Sequence, residues 1–254
     1  MKILTTNKRA FLNLTLICFF IISIVTLGAV GITKIMTLNN TTKIVDKKIP
    51  LIIIDAGHGG EDGGAVTTHD GGEPIIEKNI NLAITLKLRD LLRISGCQVI
   101  LTREKDKAIY DPESKSLRQK KRSDLRNRLE LINQYSDSNT CFVSIHQNKF
   151  PDEKYFGTQI FFSTNNPNSE VFAEHVRNNI ISKIQPENKR EIKPATSKIF
   201  LLNNSKIPAI TVECGFLSNK QEAQKLITND YQMKVAASIF GGIVDYWTKN
   251  NQNN

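Results

Sequence analysis

Short apolar runs of strand length alternate along this chain with segments whose apolar residues recur every three or four positions. Leu51–Ile54, Gln98–Thr102, Cys141–Ile145, Thr158–Phe162, Ile199–Leu202 and Ala209–Val212 read as strands. The near-continuous Ile and Val of several of them is the composition of strands covered on both faces. Between them, Ile80, Ala83, Ile84, Leu88, Leu91 and Leu92 define a helix from Glu77 to about Ile94, which Gly96 ends. Leu117, Leu125, Leu129 and Ile132 mark a second helix, from Leu117 to about Tyr135. Val171, Phe172, Val176, Ile180 and Ile184 mark a third over Ser169–Ile184, and a last helical region covers Lys220 to Trp247. Asn219 and Glu222 have N-cap and N3 spacing at its start. Gly57–Gly72, Lys105–Ser116 and Pro186–Ser197 read as loops. This alternation predicts a three-layer α/β domain with a mostly parallel sheet.

A different pattern precedes the domain. Lys2, Lys8 and Arg9 lead into an uncharged apolar run from Ala10 to Thr33, and a membrane-crossing helix needs about 20 such residues. The positive amino-terminal flank places the remainder outside the cytoplasm. A cleaved signal peptide is the alternative, with Ala29-Val30-Gly31 as a poor cleavage site. The run exceeds a usual signal core, which favours an uncleaved anchor. The expected organisation is an anchor or signal segment at 1–34, a polar linker at 35–49, one domain at 50–249 and a short tail at 250–254.

Charge sharpens this picture. The formal net charge is +9, but Lys2, Lys8, Arg9 and Lys34 belong to the amino-terminal segment. Between Lys115 and Arg128, seven basic residues face only Asp124. The rest of the exported part is close to neutral, which with export excludes a nucleic-acid binder. The basic stretch reads as a solvated helix face, or else as a contact for anionic wall polymer, lipid head groups or an acidic partner. Cys97, Cys141 and Cys214 read as small buried hydrophobes, with a nucleophilic Cys214 as the alternative. No close Cys pair offers a structural zinc site.

Candidate chemistry collects at the ends of the apolar runs. His58 follows Leu51–Ile54 in Asp55-Ala56-Gly57-His58-Gly59-Gly60, and His146 follows Cys141–Ile145. Glu213 ends Ala209–Val212, where no propensity explains a carboxylate. Glu77 opens a helix, a place the macrodipole alone would favour. Open α/β folds put their chemistry at the carboxyl ends of strands. Two imidazoles and a carboxylate on zinc leave a position for water, and a second carboxylate can move the proton. The residues alone do not say which Glu does which. Asp55 is the candidate to orient the His58 ring. His69 reads as a loop residue or a substrate contact, and His175 as a surface or boundary residue.

At these residues the chain resembles the zinc-dependent N-acetylmuramoyl-L-alanine amidases, a large bacterial family that includes cell-separation and sporulation enzymes. The resemblance runs from Leu51 to Trp247. It rests on Asp55–Gly60 with Gly63-Gly64-Ala65, Glu77-Lys78-Asn79 with Asn81-Leu82, Leu101-Thr102-Arg103, Ser144-Ile145-His146 with Asn148, and Glu213-Cys214-Gly215-Phe216-Leu217-Ser218-Asn219. It implies a mixed sheet of about six strands, one zinc ion on His58, Glu77 and His146, and Glu213 as the catalytic carboxylate. Asn148 and Arg190 join Asp55 as residues expected to contact substrate or to support the ligands. The implied reaction is hydrolysis of the amide between the lactyl group of N-acetylmuramic acid and the L-alanine of a peptidoglycan stem peptide. The anchor, the Arg-rich helix and the lack of a separate wall-binding domain resemble the spore-cortex branch, which prepares muramic acid for lactam formation. A protein activator is a further expected partner. Ala56 replaces a proline common in the family, and Lys149 adds a cation where small residues are usual. The rivals are a zinc carboxypeptidase or endopeptidase on wall peptides, and a catalytically dead wall-binding scaffold.

Overall fold

Ile52, Ile53 and Ile54 are all fully buried, although successive strand residues point to opposite faces. Both faces must therefore be covered. The computed structural model, which describes residues 49–135 and 139–250, shows how. Ile52 and Ile54 pack in one core with Ile84 and Leu88 of α1 (Glu77–Ile94), Val176 of α3 (Asn168–Ile184) and Ile239 of α6 (Asn229–Asn250). Ile53 packs in a second core with Ile132 of α2 (Leu117–Gln134) and Leu201 and Leu202 of α4 (Phe200–Asn204). Each such side chain contributes about 1.5–3 kcal/mol on burial, and truncating Ile84 to alanine would cost about 2–5 kcal/mol.

The sheet between these layers has six strands in the order β4-β1-β5-β8-β6-β7. They are β1 (Leu51–Ala56), β4 (Gln98–Leu101), β5 (Thr140–Asn148), β6 (Gln159–Phe162), β7 (Lys193–Pro194) and β8 (Ala209–Phe216). β4, β1, β5 and β8 run parallel, and β6 is antiparallel to β8. The three-layer, mostly parallel α/β architecture expected from the sequence is thus observed. The Ala10–Thr33 segment, the linker through residue 48 and the tail from 251 lie outside the described residues. Among the described residues no helix is long and apolar enough to cross a membrane.

Three local readings are corrected. Ile199–Leu202 is not a strand, because Phe200–Asn204 forms a helical turn that buries Leu201 and Leu202. Four consecutive apolar residues fit either conformation. The last helical region is two helices, α5 (Lys220–Leu226) and α6, with the Thr228 hydroxyl accepting from Tyr231 N where the second begins. The loops also hold short strands. β2 (Val66–Thr67) pairs with β3 (Ile75–Ile76), and β7 adds Pro194 at the sheet edge, where a missing N–H costs no ladder bond.

Candidate metal centre

Parallel pairing brings the carboxyl ends of β1, β5 and β8 to one rim. Asp55 is in register with Ser144, and His146 with Glu213. His58 lies in the loop after β1, and Glu77 is the first residue of α1. Four residues spread over the chain therefore meet at one sheet edge.

Oε1 of Glu77 faces both imidazoles, 3.3 Å from His58 Nε2 and 3.0 Å from His146 Nδ1. One ligand atom from each of the three residues lies within 4.8 Å of the others. The two rings meet edge to face with centroids 5.0 Å apart. Glu77 is buried and its carboxylate is fixed on other sides too. Oε2 accepts from Ala65 N at 2.7 Å, and Oε1 accepts from Gln147 N at 3.0 Å and from Asn81 Nδ2 at 3.3 Å. Close packing demands glycine around the cluster. A methyl group at Gly57 would collide with the His146 ring, and one at Gly64, where φ is +69, would lie 2.5 Å from Glu77 Oε2.

The electrostatics match this geometry. Burial pushes the Glu77 carboxyl up, but hydrogen bonds and charge from His146 and His58 hold it far below the usual range. Burial pulls His58 down, and Asp62 and Glu77 overcome that and raise it to about 9. Glu213 shows the opposite balance: burial, with Glu77 adding to it, pushes its pKa up to about 7 against the pull of His146 and His58. One Glu is held ionised and the other is poised to exchange a proton near neutrality.

Asp55 does not face the His58 ring. Its oxygens accept from Ser144 Oγ, from Thr102 Oγ1 and from Arg128. Burial pushes the Asp55 carboxyl up, but Arg128, His146 and these hydroxyls hold it at about 2. Asp62 takes the place expected of Asp55, with Oδ2 at 2.9 Å from His58 Nδ1. With Nδ1 directed at Asp62, Nε2 is the ring nitrogen turned toward Glu77, 3.3 Å from its Oε1.

The basic helix is likewise not only a solvated face. Arg128 is 1% exposed and donates to the carbonyls of Ala56 at 2.9 Å and His58 at 2.8 Å. Asp124 Oδ2 accepts from its Nε at 2.7 Å. Arg103 is also buried and donates to Ala56 O, Gly57 O and Lys78 O. Two arginines thus satisfy the carbonyls of a loop in which His58 adopts the left-handed backbone, φ 63, rare for a residue with a side chain.

Sequence reasoning missed Asp62, Arg103, Arg128 and Gln147 as supports of the site. Asn81, one turn after Glu77, could have been found from its spacing alone. Arg128 could not, since nothing local says that α2 packs over the β1 loop. Asn148 and Arg190 lie apart from the cluster, together in an adjoining groove with Tyr155 and Phe216. His69 Nε2 donates to Leu217 O at 2.9 Å, a contact outside the cluster. His175 stacks loosely on Tyr246, at 6.5 Å. Burial pushes the thiols of Cys141 and Cys214 well above their ordinary value, which argues against a nucleophilic Cys214.

Two observations test whether a metal fits. Two imidazole nitrogens and one carboxylate oxygen, clustered on this scale, form a donor set typical of zinc with one position left open. Oε2 of Glu213, on the strand beside His146, is buried without a hydrogen-bond partner among the described residues. An orphaned carboxylate oxygen next to an open ligand set is what a site for water and substrate requires.

A family model described as N-acetylmuramoyl-L-alanine amidase matches residues 52–245. The chain is 37% identical over 206 residues to the germination-specific N-acetylmuramoyl-L-alanine amidase of Bacillus subtilis, covering 78% of this chain and 80% of that one. Among solved structures it is similar to the CwlD amidase from Clostridioides difficile in complex with the GerS lipoprotein. There the identity is 42% and the TM-score 0.73, over 78% of this chain and 98% of that one. The AmiC2 amidase of Nostoc punctiforme matches with 28% identity and a TM-score of 0.64, over 78% and 97% of the two chains.

Proposed function

Since this chain belongs to the N-acetylmuramoyl-L-alanine amidase family, we propose that it acts outside the cytoplasm as a single-zinc amidase of the spore cortex. The amidase reaction divides a muramoyl glycan from a peptide that begins with L-alanine. His58, Glu77 and His146 would hold the ion. A bound zinc ion supplies Lewis acidity, which polarises a carbonyl and acidifies water.

The other steps belong to side chains of this chain. Glu213, raised to about 7, accepts a proton from the attacking water and returns it to the leaving nitrogen of L-alanine, a role worth about 10²- to 10⁴-fold in rate. Asp62 keeps the His58 ring oriented, and Ala65 N, Gln147 N and Asn81 hold the Glu77 carboxylate in place. The observation that most supports this reading is the register of His146 with Glu213 beside the three-donor cluster.

The cortex role is supported by similarity to a relative named as germination-specific. Action outside the cytoplasm is supported by the apolar Ala10–Thr33 segment and its positive flank; that segment serves as an anchor in this reading. A protein partner is supported by the similar CwlD amidase, whose structure is of a complex with a lipoprotein.

Digestion of purified peptidoglycan followed by mass analysis tests the activity. Glycan strands with free lactyl groups and intact released stem peptides are expected, and a chelator should abolish them. Shortened stem peptides still joined to glycan would mean a peptidase instead.

A further inference from the structure

We propose that the outer face of α2 docks on an anionic membrane surface, with Arg118, Arg122 and Arg126 on lipid phosphates and Leu125 among the headgroups.

The structure divides the basic stretch in two. Lys120 pairs with Glu61, Lys121 with Asp62, and Arg128 is buried against Asp55 and Asp124. These cations are engaged inside the molecule. Arg118, Arg122 and Arg126 are exposed and make no ion pair among the described residues. Asp111 feels the charge of Arg126, but its carboxylate accepts from Asn127 at 2.8 Å. Spaced four apart, the three arginines share one helix face, where like charges weaken a helix. No carboxylate at ion-pair distance offsets that repulsion among the described residues.

The side chains on this face select what covers it. Arginine rather than lysine fills the outward positions, and a guanidinium fork grips phosphate through two N–H groups. Leu125, three residues after Arg122 on the same face, is 38% exposed, and Tyr135 at the end of the helix is 43% exposed. A phosphate polymer in solution offers these apolar side chains nothing. A headgroup layer covers them while its phosphates meet the cations, and tyrosine is favoured at that depth.

The chain also keeps this face near lipid. Asn139, four residues past Tyr135, donates through Nδ2 to Ile49 O, so the domain begins beside the segment that leaves α2. Residues 34 to 48 separate Ile49 from the apolar Ala10–Thr33 run, which the proposed function reads as an anchor. Fully extended, that stretch spans at most about 50 Å. The 18-residue α2, about 27 Å long, therefore stays within reach of a bilayer.

The test is lipid photo-crosslinking of the full chain in nanodiscs, made of phosphatidylcholine alone or of an equal mixture with phosphatidylglycerol. Leu125→benzoylphenylalanine reports on the α2 face. Val171→benzoylphenylalanine, on α3 in the other core layer and 45% exposed, is the control for proximity through the tether alone. Leu125 should form lipid adducts in the phosphatidylglycerol discs, and Val171 should form few in either. Each arginine at an anionic surface is worth roughly fivefold in binding. Adducts should therefore fall at least about tenfold in pure phosphatidylcholine, and likewise when Arg118→Gln, Arg122→Gln and Arg126→Gln are combined. Molar salt, which shortens the screening length to about 3 Å, should release the helix as well. Melting curves and zinc content matching the wild type confirm that the variants are folded. Adducts at Leu125 no more frequent than at Val171, or unchanged by the triple substitution, would overturn the proposal. A Leu125 position silent in anionic discs, with binding to soluble poly(glycerol phosphate) lost in the triple variant, would assign the face to a wall polymer instead.

Discussion

At the scale of single residues, two carboxylates within one site are driven apart in acidity by their partners. Glu77 sits among imidazoles and N–H donors and stays ionised. Glu213 has an oxygen without a partner among the described residues and rises to about 7. Glu213→Gln is therefore expected to lower hydrolysis by at least about 100-fold with zinc content unchanged by elemental analysis; loss of zinc would make it a ligand instead. Asp62→Ala should weaken zinc binding about 10- to 100-fold by competition with a chelating dye. The buried Arg128–Asp55 pair predicts a stability effect. Removing one charge, as in Arg128→Met, should cost about 3–5 kcal/mol in urea unfolding. Asp55 has a folded pKa of about 2, below the ordinary 3.8, so its contribution is present above pH 4 and is lost as pH falls toward 2. That part amounts to on the order of 2 kcal/mol, read from urea midpoints across that range. His58, His146 and Glu213 were legible in the sequence as polar residues that follow apolar strands, whereas Glu77 opens a helix, where the macrodipole alone would favour it, and stood out only through its motif. Asp55 was misassigned for a related reason: sequence proximity to His58 does not show that the carboxylate points back to Thr102, Ser144 and Arg128.

At the scale of elements, the site depends on loops that leave the strands without a side chain in the way. Gly64→Ala would place a methyl group against Glu77 and His58 in a left-handed backbone. It is expected to lower zinc affinity at least tenfold in the dye assay, a loss within the 10- to 100-fold range for residues supporting metal ligands. Unchanged affinity would mean that the loop can shift without disturbing the ligands. Periodicity located α1 and α3 because each has a long apolar stripe, and α2 although Leu117 and Leu125 of its stripe are exposed. It failed at Phe200–Asn204, where the apolar run is shorter than one would need to tell helix from strand. It also failed for the inner side of α2, since Arg128 occupies a buried position with a charged group whose partners come from other elements.

For the whole molecule, the parallel order of β1, β5 and β8 is what turns distant motifs into one centre. Those strands carry Ile52, Ile54, Val143, Ile145, Ile210 and Val212 in a common core, so the rim that presents His58, His146 and Glu213 is rigid. Fold class was readable from strand–helix alternation, whereas strand order was not, because β6 enters antiparallel and β7 is two residues long. The central claim is that His58, Glu77 and His146 hold one zinc ion. Anomalous diffraction at the zinc edge, from crystals of the zinc-loaded chain, tests it most directly. A single peak should lie about 2.0–2.2 Å from His58 Nε2, Glu77 Oε1 and His146 Nδ1; a zinc peak at other residues, with none between these three, would contradict it.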